Sequence, residues 1–169
     1  MSNRAPARIT IGGKFTPRLI DELVGLLKIE GLCLEWDTNL NPEWQVKPTP
    51  NEVRESVTRQ GYITVWDEDA PHAYFPEIED WCVDNGLPFH RWSGALPEIG
   101  ETITLFDPEH SSDPEAVPSD DGEPALALKS LTWARNHGKT LDDVVKDLQR
   151  YQVEALLEAE LVEDLEEIL

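Results

Sequence analysis

The chain is short of bases, cysteine and methionine. Fourteen Lys plus Arg stand against 34 Asp plus Glu in 169 residues, which leaves a formal net charge of −20 and a pI of about 4.3. A surface of that sign repels phosphate, so no direct binding to nucleic acid is expected. Cys33 and Cys82 are the whole cysteine complement and cannot build a disulfide framework. No apolar run approaches the roughly 18 residues of a membrane span, and no membrane partner is expected. The opening Met1-Ser2-Asn3-Arg4-Ala5-Pro6 lacks the apolar stretch of a signal peptide, so a cytoplasmic protein is expected. Apolar residues are not scarce. They make up 40% of the chain and include six Trp, enough to bury a core and to argue against wholesale disorder. The length suits one domain, or a domain with an appendage.

The negative charge is unevenly placed. Residues 1–59 hold eight acids and eight bases. Residues 60–128 hold sixteen acids and a single base, Arg91. Residues 129–150 are mildly basic, with Lys129, Arg135, Lys139, Lys146 and Arg150 against three acids. Residues 151–169 hold seven acids and no base. Charge of this kind speaks to partners and solubility rather than to fold.

Arg8-Ile9-Thr10-Ile11-Gly12 alternates and is β-branched, which predicts a strand. Thr16-Pro17 reads as an N-cap followed by proline at the first helical position. Leu19, Leu23, Leu26 and Leu27 recur at helical spacing as far as Gly31. Leu32–Trp36 predicts a second strand, and the three segments together predict a β-α-β unit with a parallel pair. Beyond them come a helix over Asn51–Gln60, a strand over Tyr62–Trp66 and a turn over Asp67–Pro71. A helix over Phe75–Asn85, with Ile78, Trp81 and Cys82 inward, precedes strands at Phe89–Trp92 and Thr102–Phe106. Residues 107–124, with four Pro, seven acids and almost no apolar content, predict a linker. Ala125–Leu128 predicts a last strand and Ser130–His137 a helical turn. Thr140 caps a further helix with Asp142 and Asp143 in its first turn. Leu157, Leu161 and Leu165 repeat at helical spacing with no breaker, so a helix of about 43 Å is expected from 141 to 169. The fold class expected is α+β or α/β. A compact mixed sheet with helices packed on it spans 1–106, an acidic Pro-rich linker 107–124, and a C-terminal segment ending in a long helix 125–169.

Catalytic and metal motifs are few. Ile11-Gly12-Gly13-Lys14 lies between a strand and a helix, but it lacks the full phosphate-loop spacing and has Phe15 in the hydroxyl position, so it reads as a plain βα turn. His72, His90, His110 and His137 are scattered, with no Cys-x2-Cys or His-Glu-x-x-His pattern. Asp67, Glu68, Asp69 and His72 form the best local cluster for Mg²⁺ or Zn²⁺, set against a solvated acidic turn. No cofactor is expected. Asp107-Pro108-Glu109-His110 is not in nuclease order, and its region has one base with which to hold DNA. Ser93 is not in a nucleophile elbow, and Cys33 and Cys82 read as core residues. No nucleophile, base and orienter come together, so no enzyme is expected. Arg91 reads either as a clamp for a carboxylate or phosphate, or as a structural partner of Asp80, Asp84 or Glu98.

The stretches Ile9-Thr10-Ile11-Gly12-Gly13, Ile78-Glu79-Asp80-Trp81-Cys82 and Gly86-Leu87-Pro88-Phe89-His90-Arg91-Trp92-Ser93-Gly94 resemble small uncharacterised proteins of bacterial plasmids and phages, over residues 8–106. The resemblance implies a mobile-element setting and brings no catalytic residues. Small acidic proteins of such elements resemble DNA mimics, anti-restriction and anti-CRISPR proteins among them. The expected function is therefore that of a non-enzymatic acidic protein occupying the basic, nucleic-acid-binding surface of a host protein. The candidate contacts are Asp67, Glu68, Asp69, Glu77, Glu79, Asp80 and Asp84. A second surface comprises Glu154, Glu158, Leu161, Glu163, Asp164 and Leu165. The alternative is an assembly module working through the C-terminal helix, by self-association or in a partner's groove. Seven acids without a base make a basic partner, or the basic 129–150 segment, a better fit for that helix than a parallel homodimer. Solubility alone is a third account of the charge.

Overall fold

An eight-stranded antiparallel sheet organises the chain in a computed structural model, which describes residues 3–35, 45–126, 128–152 and 159–163. β1 (Arg4–Ile11) alternates buried apolar Ala5, Ala7, Ile9 and Ile11 with half-buried Pro6 and Arg8 and the buried polar Thr10, the period of a pleated strand. β2 (Gly13–Phe15) leads into α1 (Pro17–Glu30), where the Thr16 side chain accepts from Leu19 N at 3.2 Å and Gly31, at φ 69, ends the helix. β3 (Cys33–Glu35) and β4 (Gln45–Val46) follow. α2 (Pro50–Gln60) repeats the grammar of α1, with Thr49 as cap, Pro50 first and Gly61 as stop. Then come β5 (Ile63–Pro71), α3 (Pro76–Asp84), β6 (Phe89–Ser93), β7 (Thr102–Phe106), β8 (Glu115–Asp120) and β9 (Glu123–Pro124). α4 (Leu128–Asn136), α5 (Leu141–Gln149) and β10 (Ala159–Leu161) complete the described elements.

The sheet order is β4-β3-β5-β1-β6-β7-β8-β9, and β10 pairs separately with β2 in parallel. One face is apolar. Ile9 and Ile11 of β1, Ile63 and Val65 of β5, Leu34 and Phe89 meet Leu23 and Leu27 of α1, Val53 of α2, and Ile78 and Cys82 of α3 in one core. Each such aliphatic side chain contributes roughly 1.5–3 kcal/mol by leaving water.

The opposite face is polar and aromatic, and register sets it. Arg8 lies opposite Trp66 on one side and Trp92 on the other, while Thr10 lies opposite Thr64 and His90. The Arg8 guanidinium donates to both oxygens of Glu35, at 3.0 and 3.1 Å. Trp66 and Trp92 stack at 6.0 Å between centroids, and the guanidinium carbon lies 5.2 Å from the Trp66 ring. The chain leaving α5 is pinned to this face, with His90 Nε2 lying 3.0 Å from the Tyr151 carbonyl oxygen. Glu115 of β8 accepts from the Tyr151 hydroxyl and pairs with Arg150.

The structure corrects several expectations. β1 and β3 do not form a parallel pair, because β5 lies between them and runs antiparallel to both. The turn expected at Asp67–Pro71 is strand, since Ala70 is buried and Arg4↔Pro71 and Ala5↔Ala70 extend the pairing. Reversal falls instead at His72 and Ala73, both at positive φ. The acidic stretch 107–124 is not wholly linker. β8 joins the sheet beside β7, from Leu105↔Glu115 to Thr102↔Pro118. Asp121 and Gly122, at φ 53 and 80, then make the tight turn to β9, where the Asp-Gly pair supplies the left-handed backbone. The strand expected over Ala125–Leu128 is not found among the described residues: β9 ends at Pro124, Ala125 and Leu126 lie outside any strand, and Leu128 opens α4. The continuous helix from 141 to 169 is overturned as well. α5 ends at Gln149, and Ala159–Leu161 forms β10. The edge of β2 explains the change: Val162 N donates to Phe15 O at 2.9 Å and Ala159 N to Gly61 O at 2.6 Å, partners that an acidic helix in water does not offer.

Candidate functional site

The acids expected to act together divide into those the fold consumes and those it leaves to solvent. α3 makes the clearest division. Ile78 and Cys82 face the core, so Glu77, Asp80 and Asp84, three and four residues apart, line its exposed side. The row is about 10 Å long. None of the three has an ion-pair partner among the described residues. Glu77 stands in the first turn, where the helix dipole favours an acid. Asp84 is the last residue of the helix and has no base in its turn, where the dipole disfavours it. Asp80 and Asp84 also repel each other at i,i+4.

Glu79 does not belong to this row. Its Oε1 lies 2.9 Å from Arg91 Nε, with side-chain exposures of 12% and 13%. The same carboxylate oxygen accepts from Phe75 N at 2.9 Å. Arg91 donates further to the Ala73 carbonyl at 3.0 Å, to Thr104 Oγ1 at 2.8 Å and to Ser93 Oγ. Burial raises the Glu79 carboxyl above its usual range, although Arg91 and the Phe75 amide oppose it. Burial likewise lowers Arg91, although Glu79 opposes it. Arg91 is thus a structural cation whose partner is Glu79, not Asp80, Asp84 or Glu98. Helical spacing puts Glu79 four residues after Phe75 and beside Ile78, at the edge of the inward face, but it does not name Arg91 as the partner.

The β5 acids are mixed. Asp69 pairs with Arg4 at 3.2 Å, and Asp67 accepts from Asp69 N at 2.9 Å. Glu68 is exposed and carries no ion pair among the described residues. His72 is exposed, 6.0 Å from the Tyr74 ring. The structure does not bring Asp67, Asp69 and His72 into a metal site: among the described residues no group of three or more His, Cys, Asp or Glu is placed to hold an ion. Cys82 is buried, and burial pushes its thiol up.

A cleft of about 300 Å³ adjoins the α3 row. Its polar rim is Glu30, Asp67, Glu77 and Arg4, and its apolar lining includes Leu32, Tyr74, Phe75 and Ile78. Glu77 belongs to both the cleft and the row. Glu30, the last residue of α1, and Tyr74 were not among the sequence-predicted site residues. Only the packing of α1 against α3 brings them together.

On the second surface expected from sequence, Leu161 lies in β10 opposite Phe15, 40% exposed, and Glu163 is exposed just beyond. Glu154, Glu158, Asp164 and Leu165 lie outside the described residues.

No protein-family model, no curated protein and no solved structure matches the chain. The functional reading therefore rests on the residues themselves. Among the described residues no helix is long and apolar enough to cross a membrane.

Proposed function

We propose that the protein is a non-enzymatic acidic binding protein whose α3 row occupies a basic, nucleic-acid-binding surface of a host protein, as an anti-defence inhibitor of a phage or plasmid does. One observation carries the reading. Glu77, Asp80 and Asp84 form an exposed row without ion-pair partners among the described residues, and the fold gains nothing from its lower end, where Asp84 opposes the helix dipole and repels Asp80. Most bases, by contrast, are already occupied: Arg4, Arg8, Lys14, Arg18, Arg59, Arg91, Lys139 and Arg150 each pair with an acid. Carboxylates held on a rigid helix stand in for phosphates. They steer a basic partner by complementary fields.

The test is a pull-down from bacterial lysate with immobilised protein, followed by competition. A nucleic-acid-binding protein should be captured, released by added salt and displaced by duplex DNA. A captured partner that binds DNA and this protein at once contradicts the proposal.

A further inference from the structure

We propose that the cleft between α1, β5 and α3 receives the guanidinium of an arginine side chain presented by the basic partner. This deepens the reading above and rests on it. The cleft's volume of about 300 Å³ lies at the lower end for a small-molecule pocket and suits a single long side chain. Its electrostatics select a cation. Arg4 is neutralised by Asp69 at 3.2 Å, and Arg91, whose guanidinium lies 5.8 Å from the Tyr74 ring, is neutralised by Glu79 at 2.9 Å. Glu30, Asp67 and Glu77 remain on the rim with no basic counter-charge among the described residues.

Two features favour arginine over a compact ammonium. The lining joins carboxylates to apolar and aromatic surface from Leu32, Tyr74, Phe75 and Ile78, which suits a planar cation on a hydrocarbon stem. Tyr74 is 37% exposed, so part of its surface remains open to a cation. Placement supplies the last argument. Glu77 stands at both the cleft and the α3 row, so a partner lying along α3 brings its side chains to the mouth. Arginine seated in a pocket is a common anchor of protein interfaces.

The experiment is an amide-shift titration of the full chain with N-acetyl-arginine amide, using the uncharged N-acetyl-citrulline amide as control. The expected result is saturable shifts at Leu32, Phe75, Glu77 and Ile78 with the arginine probe alone, weakened at least about fivefold in E30Q/E77Q. Equal shifts with the citrulline probe overturn the inference, as do shifts spread over the whole acidic surface or unchanged binding by E30Q/E77Q. Failure here is separable from failure of the wider reading. If an arginine-rich peptide shifts Asp80 and Asp84 but not the cleft, the cleft proposal falls and the α3 row stands. If the peptide shifts neither, both fall.

Discussion

Arg91 Nε stands 2.9 Å from Glu79 Oε1, and both side chains are nearly withdrawn from water. Breaking a buried pair from one side leaves a charge without compensation, which typically costs about 3 kcal/mol or more. Glu79→Ala should therefore lower unfolding stability in urea by about 3 kcal/mol. The double variant E79Q/R91M should be less damaged than Glu79→Ala, because neither charge is left behind. If Glu79→Ala is as mild as a surface substitution, the pair is not structural.

Asp84 offers the opposite sign. Replacing it with Asn removes an acid from the wrong end of α3 and its repulsion with Asp80. Asp84→Asn should raise stability by about 0.5 kcal/mol at low salt, with the gain shrinking as salt is added. The same variant should bind the captured partner less well. Stability and binding moving in opposite directions is the signature of an acid kept for an external contact.

His90 sets a pH dependence. Burial holds its imidazole below the usual value, against the pull of the Tyr151 carbonyl. The unfolded chain therefore takes up a proton that the folded chain refuses as pH falls below about 6.5. Stability is full above that value and declines towards the lowered folded value. The urea midpoint should fall between pH 7.5 and 5.5 by more in the native chain than in His90→Gln. Equal slopes would remove His90 from the account.

β10 is a structural strand, so removing it should harm the fold. A chain ending at Gln152 loses the bonds from Ala159 N to Gly61 O and from Val162 N to Phe15 O. Its thermal midpoint should fall by several degrees, as a loss of about 2 kcal/mol does at this size. Partner capture at a temperature where both forms are folded should persist. Loss of capture without loss of stability would instead favour a C-terminal binding segment.

What could be read from the residues depended on how local the cause is. Thr16-Pro17 with Gly31 announces α1 because caps and stops act within a few residues; Thr49-Pro50 caps α2 in the same way, although the helix expected there began only at Asn51. Asp121-Gly122 carried an equally local hairpin signal, but the acids and prolines around it masked the alternation of β8. Helical spacing aligns Glu77, Asp80 and Asp84 on one face, although the expected contacts also counted Glu79 among them. The Arg91–Glu79 pair was not legible, since it depends on β6 passing beneath α3. Nor was β10, whose leucine spacing also suits a helix and whose strand depends on the open edge of β2, more than a hundred residues earlier. Arg8, Glu35, Trp66 and Trp92 became one cluster only once β5 was known to lie between β1 and β3.

The most direct test compares two triple variants of equal charge. One neutralises the α3 row, E77Q/D80N/D84N. The other neutralises the β8–β9 turn, D120N/D121N/E123Q, whose acids are also exposed. Each removes three negative charges, so bulk charge changes alike. The measurement is the affinity of each for the partner captured by the native protein, at one fixed salt concentration. The α3 variant should lose at least tenfold, while the turn variant keeps most of its affinity. Equal loss in both, or retention by the α3 variant, would contradict the claim that the α3 row is the binding surface.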